Sequence, residues 1–358
     1  MKERIQGYDL ARAFAIFGMV IVNFKIVMNA TTGSQFLLDA ASLLEGRAAA
    51  IFVILAGVGI SLLTKKARES NDVLKVKSHR ISLFKRSILL IVIGLAYSPI
   101  WPADILHFYG LYIIIGTILL TASNRTLLTF SGILIAGFVL LLGFVDYELG
   151  WNWKTYEYLD FWTIEGMVRH MFYNGFHPVF PWAAFLLIGM WLGRQNVFDK
   201  AVRNRLLIGS LILWVGIESI SHILISYFSA NPDGLSIEEI YYIFGTKPMP
   251  PMPFYILSAT GSAITFIMIC VTISLKYNES KILKPLIYTG QLALTFYVAH
   301  VIVGMGFLEA IGKLENQTIN FALLSAMIFN ILCIVFAYYW KRKYAVGPLE
   351  WVFRKLAN

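Results

Sequence analysis

Seven side chains of this 358-residue sequence are of types that do chemistry and lie where such groups are costly to place. Arg12, Asn23, Glu218, His222 and His300 interrupt long apolar runs, and His107 and His177 stand at the edges of two more. An ionisable group inside a bilayer carries a free-energy penalty, so each of these needs a reason. Glu218 and His222 are four residues apart; on a helix they share a face and can hydrogen-bond, with Ser219 and Ser221 extending the polar stripe. Such a pair can handle a proton in a cavity, or it can tie two membrane helices together. His300 admits the same two readings. His107, three residues after Asp104 in PADILHFYG, is an interfacial anchor or a base. His177, in FHPVFPW, caps a helix or serves as a base. Arg12 lies one turn from Asp9. It either snorkels to the inner headgroups with Asp9 as its ion-pair partner, or offers its forked donors to an anionic cosubstrate from the cytoplasm.

The elements that must position these groups are membrane helices. Apolar residues make up 58% of the chain and charged residues 14%, with mean hydropathy +0.68, whereas soluble domains carry about 25% charged residues. Ten stretches approach the roughly 20 apolar residues that a span requires: 8–30, 46–64, 84–101, 106–122, 126–145, 178–194, 206–228, 254–275, 286–308 and 318–340. The expected fold class is therefore all-α, a polytopic bundle of about ten transmembrane helices forming one domain over 1–358. The first stretch carries Asp9, Arg12 and Asn23 and no small-residue cleavage site, which reads as a retained helix rather than a secretory signal.

Net charge is +9, from 30 basic and 21 acidic residues. The basic residues form short clusters between apolar blocks. On alternate sides of the ten stretches they divide 23 to six, with Arg12 inside the first span. The richer side, which includes Lys2, is the cytoplasmic one, so both termini are expected there. This pattern excludes a soluble enzyme and a nucleic-acid-binding protein. Thirteen of the acidic residues fall outside. So does the segment 146–177, whose Trp151, Trp153, Tyr156, Tyr158 and Trp162 suggest a cap along the outer membrane surface. A second outer loop, 230–253, is rich in proline, Pro232 included. His79 lies in a basic cytoplasmic loop and His170 in the aromatic outer segment. Cys270 and Cys333 fall within spans as small packing residues; their spacing suits neither a disulfide nor zinc.

The opening RIQGYDLARAFAIFGMVIVNF resembles the first helix of the transmembrane acyltransferase superfamily, which includes heparan-α-glucosaminide N-acetyltransferase and bacterial O-acyltransferases of surface sugars. Members commonly show an Arg, ten residues, then a His or Asn; Arg12 and Asn23 fit. FHPVFPWAAFLLIGMWLGR is similar to the Pro-Trp helix of the heparan acetyltransferase-like branch. EGRAAAIFVILAGVGIS, PADILHFYGLYIIIG and VGPLEWVFRKL look closer to YeiB-like membrane proteins, and TGQLALTFYVAH fits either branch.

The resemblance implies transfer of an acyl group from acetyl-CoA or another acyl-CoA, bound from the cytoplasm, to a hydroxyl or amine on the far side. It implies no metal. A histidine would act as general base and Asn23 as donor to the developing oxyanion, with Arg12 engaging the pantetheine or phosphate portion of the donor. The heparan enzyme carries its catalytic histidine after the first span, and residues 24–46 contain none. The candidates for that role are His177, His300 and His107, in that order. Expected partners are the lipid bilayer, an extracytoplasmic glycan or lipid-linked acceptor and, in a homo-oligomer, a second copy of the chain. The expected location is a bacterial plasma membrane. A rival reading is a proton-coupled transporter or flippase of small amphiphiles using Glu218 and His222; against it stands the lack of an internal repeat.

Overall fold

In a computed structural model, described over residues 4–70, 72–231 and 234–357, nearly all regular structure is helical. Lys2, Pro232 and Asp233 lie outside those residues. The first half contains α1 (Gln6–Val27), α2 (Gln35–Ser42), α3 (Arg47–Glu69), α4 (Val73–Tyr97), α5 (Leu106–Ile118) and α6 (Asn124–Leu142). A two-stranded antiparallel ribbon follows, β1 (Trp151–Asn152) with β2 (Glu157–Tyr158). Next come α7 (Ile164–Arg169), a π-turn at His170–Asn174, α8 (Val179–Leu192), α9 (Lys200–Ala230), α10 (Ile237–Phe244) and α11 (Pro253–Lys276). The last part holds α12 (Leu283–Gln291), α13 (Ala293–Ala299), a π-turn at His300–Met305, α14 (Gly306–Ala310), α15 (Ile319–Lys343) and α16 (Pro348–Ala357).

Among the described residues, seven helical stretches are long and apolar enough to cross a membrane: α1, Gln35–Glu69, α6, α9, α11, Ala293–Ala310 and α15. The pair Ile164–Asn174 and Val179–Leu192, bent by 49°, adds an eighth if it counts as one span. Two of the ten expected stretches behave differently. The one at 84–101 lies in α4, whose first half carries Lys75, Lys77, Arg80, Lys85 and Arg86; the one at 106–122 forms the 13-residue α5. The aromatic segment 146–177 is likewise more than a surface strap, because its second half is the apolar arm leading into α8. The chain is thus a multi-pass membrane protein that is almost entirely helical in its regular structure.

Contacts divide it into two compact units. Unit 1 comprises residues 1–52, 197–208 and 262–355, and unit 2 comprises 53–196, 209–261 and 356–358. In unit 1, α1 packs on α12 and α15. Small residues let the backbones close up: a Cβ at Gly290 would lie 1.8 Å from the Asp9 carbonyl oxygen, and one at Gly7 would lie 2.3 Å from Val271 Cα. Without a hydrophobic drive between helices in lipid, such close packing supplies much of the association energy. In unit 2, α4 packs on α5 and α6 on α8. There Gly57 and Gly189 serve the same purpose, since a Cβ at either would sit 2.0 Å from a carbonyl oxygen, of Leu186 or Ile54.

Gly189→Ala should therefore lower the thermal midpoint of the detergent-solubilised protein by the equivalent of about 1–3 kcal/mol or more, because backbone must shift. Gly59→Ala, where a Cβ meets nothing within 4 Å, should change it by less than about 0.5 kcal/mol. Parallel melting curves of the two variants check the contrast.

Candidate functional site

The structure joins Asn23 of α1 to His300, 277 positions later: Asn23 Nδ2 lies 2.9 Å from His300 Nε2. His300 opens its π-turn directly after α13 and is 1% exposed. Its Nδ1 is hydrogen-bonded to the Tyr297 carbonyl. A carbonyl can only accept, so Nδ1 carries the proton and Nε2 presents its lone pair, which accepts from the Asn23 amide. The imidazole is thereby fixed in the tautomer a general base needs. Local packing supports the turn: Gly304, within it, lies against the rings of Phe24 and Phe329.

The helix ending at His300 is anchored at its start as well. Between α12 and α13 the backbone breaks at Leu292. The backbone N–H groups of Leu294 and Thr295 donate to Glu350 Oε1 at 2.9 and 3.1 Å, and Thr295 Oγ1 donates to Glu350 Oε2 at 2.6 Å. These are donors that a helix start leaves unsatisfied, so α16 holds the short helix bearing the histidine.

Toward the other end of α1, Asp9 is 3% exposed and accepts four N–H bonds. Arg4 supplies Nε at 2.6 Å and Nη2 at 3.0 Å, Arg12 supplies Nη1 at 2.9 Å, and Gln291 supplies Nε2 at 3.2 Å. The ion pair expected for Arg12 is present. Two guanidiniums on one carboxylate leave a net positive charge, and the remaining nitrogens of Arg12 have no partner among the described residues. Arg12 and Asn23 are eleven residues apart on α1, about 16 Å along its axis at about 1.5 Å per residue.

In unit 2 the other candidate histidines gather separately. Asp104 Oδ2 accepts from the backbone N–H of Leu106 at 2.9 Å and of His107 at 3.3 Å, and lies 3.0 Å from His107 Nδ1. Both side chains are fully buried. The His107 ring stacks 6.0 Å from that of His170, and the His177 ring meets Trp182 edge-on at 4.5 Å. Among the described residues, His107 Nε2, His170 Nδ1 and His177 Nδ1 are buried with no hydrogen-bond partner. His170 was not singled out from the sequence. Its signal was only a place among aromatics seven residues before His177, whereas the Asp104–His107 spacing of three was readable.

Glu218 and His222 do not pair. Ser258 Oγ and Thr246 Oγ1, the latter at 3.1 Å, donate to Glu218, while His222 is exposed with no hydrogen-bond partner among the described residues. Nearby hydroxyls reach Glu218 from the chain that follows α10 and from α11. Cys270 and Cys333 are buried free thiols.

A model of the heparan-α-glucosaminide N-acetyltransferase catalytic domain matches residues 4–232, well over half of the chain. The chain belongs to this family. A second model, for a family of unknown function (DUF418), matches residues 192–358. Two bacterial relatives align over nearly the full length. One, described as an uncharacterised 39.9 kDa protein in the amylase 3′ region of Bacillus acidopullulyticus, is 21% identical over 376 residues, covering 99% of this chain and 94% of the relative. The other, the uncharacterised protein YxaH of Bacillus subtilis strain 168, is 20% identical over 410 residues, covering 98% and 94%. In this heparan acetyltransferase family member, Arg12, Asn23, His107 and His177 lie within the first match, and His300 lies within the second alone.

Removing Asp9 would take the shared acceptor from Arg4, Arg12 and Gln291. Asp9→Ala should destabilise the solubilised protein by about 1–3 kcal/mol. Arg4→Ala, whose side chain is 63% exposed, should cost no more than about 1 kcal/mol. Unfolding midpoints of both variants in one detergent test the ranking.

Proposed function

We infer that the protein is an integral membrane acyltransferase. It moves an acyl group, in the simplest case acetyl, from a cytoplasmic acyl-CoA to a hydroxyl or amine of an extracytoplasmic acceptor such as a cell-surface glycan. The observation that carries this reading is the Asn23–His300 pair on a helix that also bears Arg12. The family match supports the reaction class, and the 23-to-six division of basic residues supports cytoplasmic termini in a bacterial plasma membrane. His300 is preferred over His177 and His107 because it alone of the three meets the asparagine of the Arg-x10-Asn pattern.

Each step follows from groups already placed. Arg12, held by Asp9, binds the anionic donor by its remaining N–H groups. The acceptor's hydroxyl or amine takes the place of the Asn23 amide at His300 Nε2. As it attacks the thioester carbon, its proton passes to Nε2, a contribution of about 100- to 10,000-fold for general-base catalysis. The released Asn23 amide donates to the oxyanion. When the tetrahedral intermediate collapses, the C–S bond breaks, the acyl group remains on the acceptor, and the imidazolium returns its proton to the thiolate.

The test uses purified protein in lipid nanodiscs with radiolabelled acetyl-CoA. Arg12→Ala should weaken binding about tenfold or more, the loss of one charge-assisted hydrogen bond. His300→Gln should bind acetyl-CoA normally and lose acetyl transfer about 100-fold or more. Asn23→Ala should reduce transfer about 100- to 1,000-fold. Absence of acyl-CoA binding by the wild type, or full transfer by His300→Gln, would reject the reading.

A further inference from the structure

Unit 2 holds a cavity of about 330 Å³ that the acyl-transfer site does not use. That volume lies in the range of small-molecule sites, about 300–1,000 Å³. Tyr158, Phe161, Trp162 and Phe176 line it, with His170 among them and Glu157 also in the lining; the Glu157 carboxylate accepts from Thr155 Oγ1 at 2.9 Å. His170 is 2% exposed, and the rings of Tyr158 and Phe161 stand edge-on to it at 4.6 and 4.9 Å.

The walls are built rigidly. Arg169 Nε donates to the Tyr158 hydroxyl at 2.8 Å, and that hydroxyl donates to Asn174 Oδ1 at 2.7 Å. Asn174 is completely buried, and its amide donates to the carbonyls of Tyr147 and Leu149, both at 2.8 Å. Arg169 also pairs with Asp160 at 2.5 Å. The Tyr158 hydroxyl, Arg169 Nε and the Asn174 amide are satisfied, whereas Asp160 Oδ1, His170 Nδ1 and, on the ring stacked against it, His107 Nε2 are buried without a partner among the described residues. Buried nitrogens without partners are rare in native structures and mark places where a partner is missing. Because Asp104 holds the proton on His107 Nδ1, His107 Nε2 is an acceptor and requires a donor.

The same segment presents an apolar exterior. Leu159 and Trp162, both in the cavity lining, are 72% and 63% exposed. Ile164, Val168 and Phe172 follow at intervals of four and form one exposed stripe on the arm that leads into α8. An apolar stripe continuing from the mouth of a cavity with unsatisfied polar groups suits a ligand with both characters. The stripe lies on a candidate membrane span, so an apolar tail leaving the cavity would run among lipid tails beside it, while a purely apolar head would leave the His170 imidazole without a partner.

We propose that this cavity binds the head of a membrane-borne amphiphile. The head presents hydrogen-bond donors, hydroxyl or amine, to His170 and to the carboxylate of Glu157. The apolar tail runs out along Leu159, Trp162 and the Ile164–Val168–Phe172 stripe. His107, fixed by Asp104, acts as a positioning residue that backs the His170 ring. The binding stands apart from the acyl-transfer reading, whose failure would appear as absent acetyl-CoA binding and would leave this site untouched.

The test measures binding of radiolabelled octyl glucoside, kept below its micellar concentration, to the full chain in nanodiscs, after subtracting linear partition into protein-free discs. Saturable binding is expected, at least tenfold tighter than competition by glucose or by 1-octanol. His170→Phe, which keeps an aromatic ring, should weaken it about tenfold, and so should the pair Ile164→Asn and Val168→Asn. Monodisperse elution and an unchanged melting midpoint show that each variant folds. If His170→Phe does not, Trp162→Ala takes its place with the same expected loss. Three results would overturn the proposal. One is no saturable binding. A second is binding of glucose as tight as that of octyl glucoside with the stripe variants silent, which would mean a water-facing site. The third is competition by octanol as strong as self-competition with the cavity variant silent, which would mean a crevice for acyl chains alone.

Discussion

A polar group carried into hydrocarbon must find its hydrogen-bond partner within the protein, because no water is there to supply one. That constraint organises both units. Asp9 accepts from Arg4, Arg12 and Gln291 and in doing so fixes α1 to α12. Glu350 satisfies the first amides of the helix that ends at His300. Glu218 accepts hydrogen bonds from the hydroxyls of Ser258 and Thr246. In each case the carboxylate is spent on holding structure. The informative positions are the few where satisfaction is incomplete or where the bond can be exchanged for one to a substrate: Nε2 of His300, and the open nitrogens of His107, His170 and His177.

The α1 site therefore combines a rigid frame with one replaceable bond. Tyr297 fixes the tautomer of His300, Glu350 fixes the start of its helix, and the Asn23 amide stands at the Nε2 lone pair. It also draws on both sequence families matched by the chain. Asn23 and Arg12 come from the stretch matched by the acetyltransferase model, while His300 comes from the stretch matched only by the second. Residues 24–46 hold no histidine, and the one that meets Asn23 comes from the far end of the sequence.

Long apolar runs were legible as helices because periodicity and hydropathy are local properties. So was the Arg12–Asp9 ion pair, one turn apart on a single helix. The union of Asn23 with His300 was not legible: a bond across 277 positions depends on how α1, α13 and α15 pack, and no local pattern encodes it. For the same reason Glu218 misled. Spacing of four made His222 its natural partner, but tertiary contacts bring Ser258 and Thr246 closer and turn His222 outward. Span counting was weakest where composition is mixed, in the charged half of α4 and the short α5. The aromatics of segment 146–177 were conspicuous in the sequence, yet the fully buried Asn174 that staples it has no sequence signal at all.

The 277-residue separation of Asn23 and His300 also bears on biogenesis. Asn23 belongs to α1, and its partner is made only after α2 to α13. For most of synthesis its side-chain amide has to be satisfied by something other than His300, such as backbone, water at the insertion machinery or a lipid headgroup. A contact so distant in sequence forms late, since chain entropy must be lost before it is rewarded. The candidate catalytic pair is thus a product of completed assembly, and an incompletely inserted chain would hold an asparagine in place but no base.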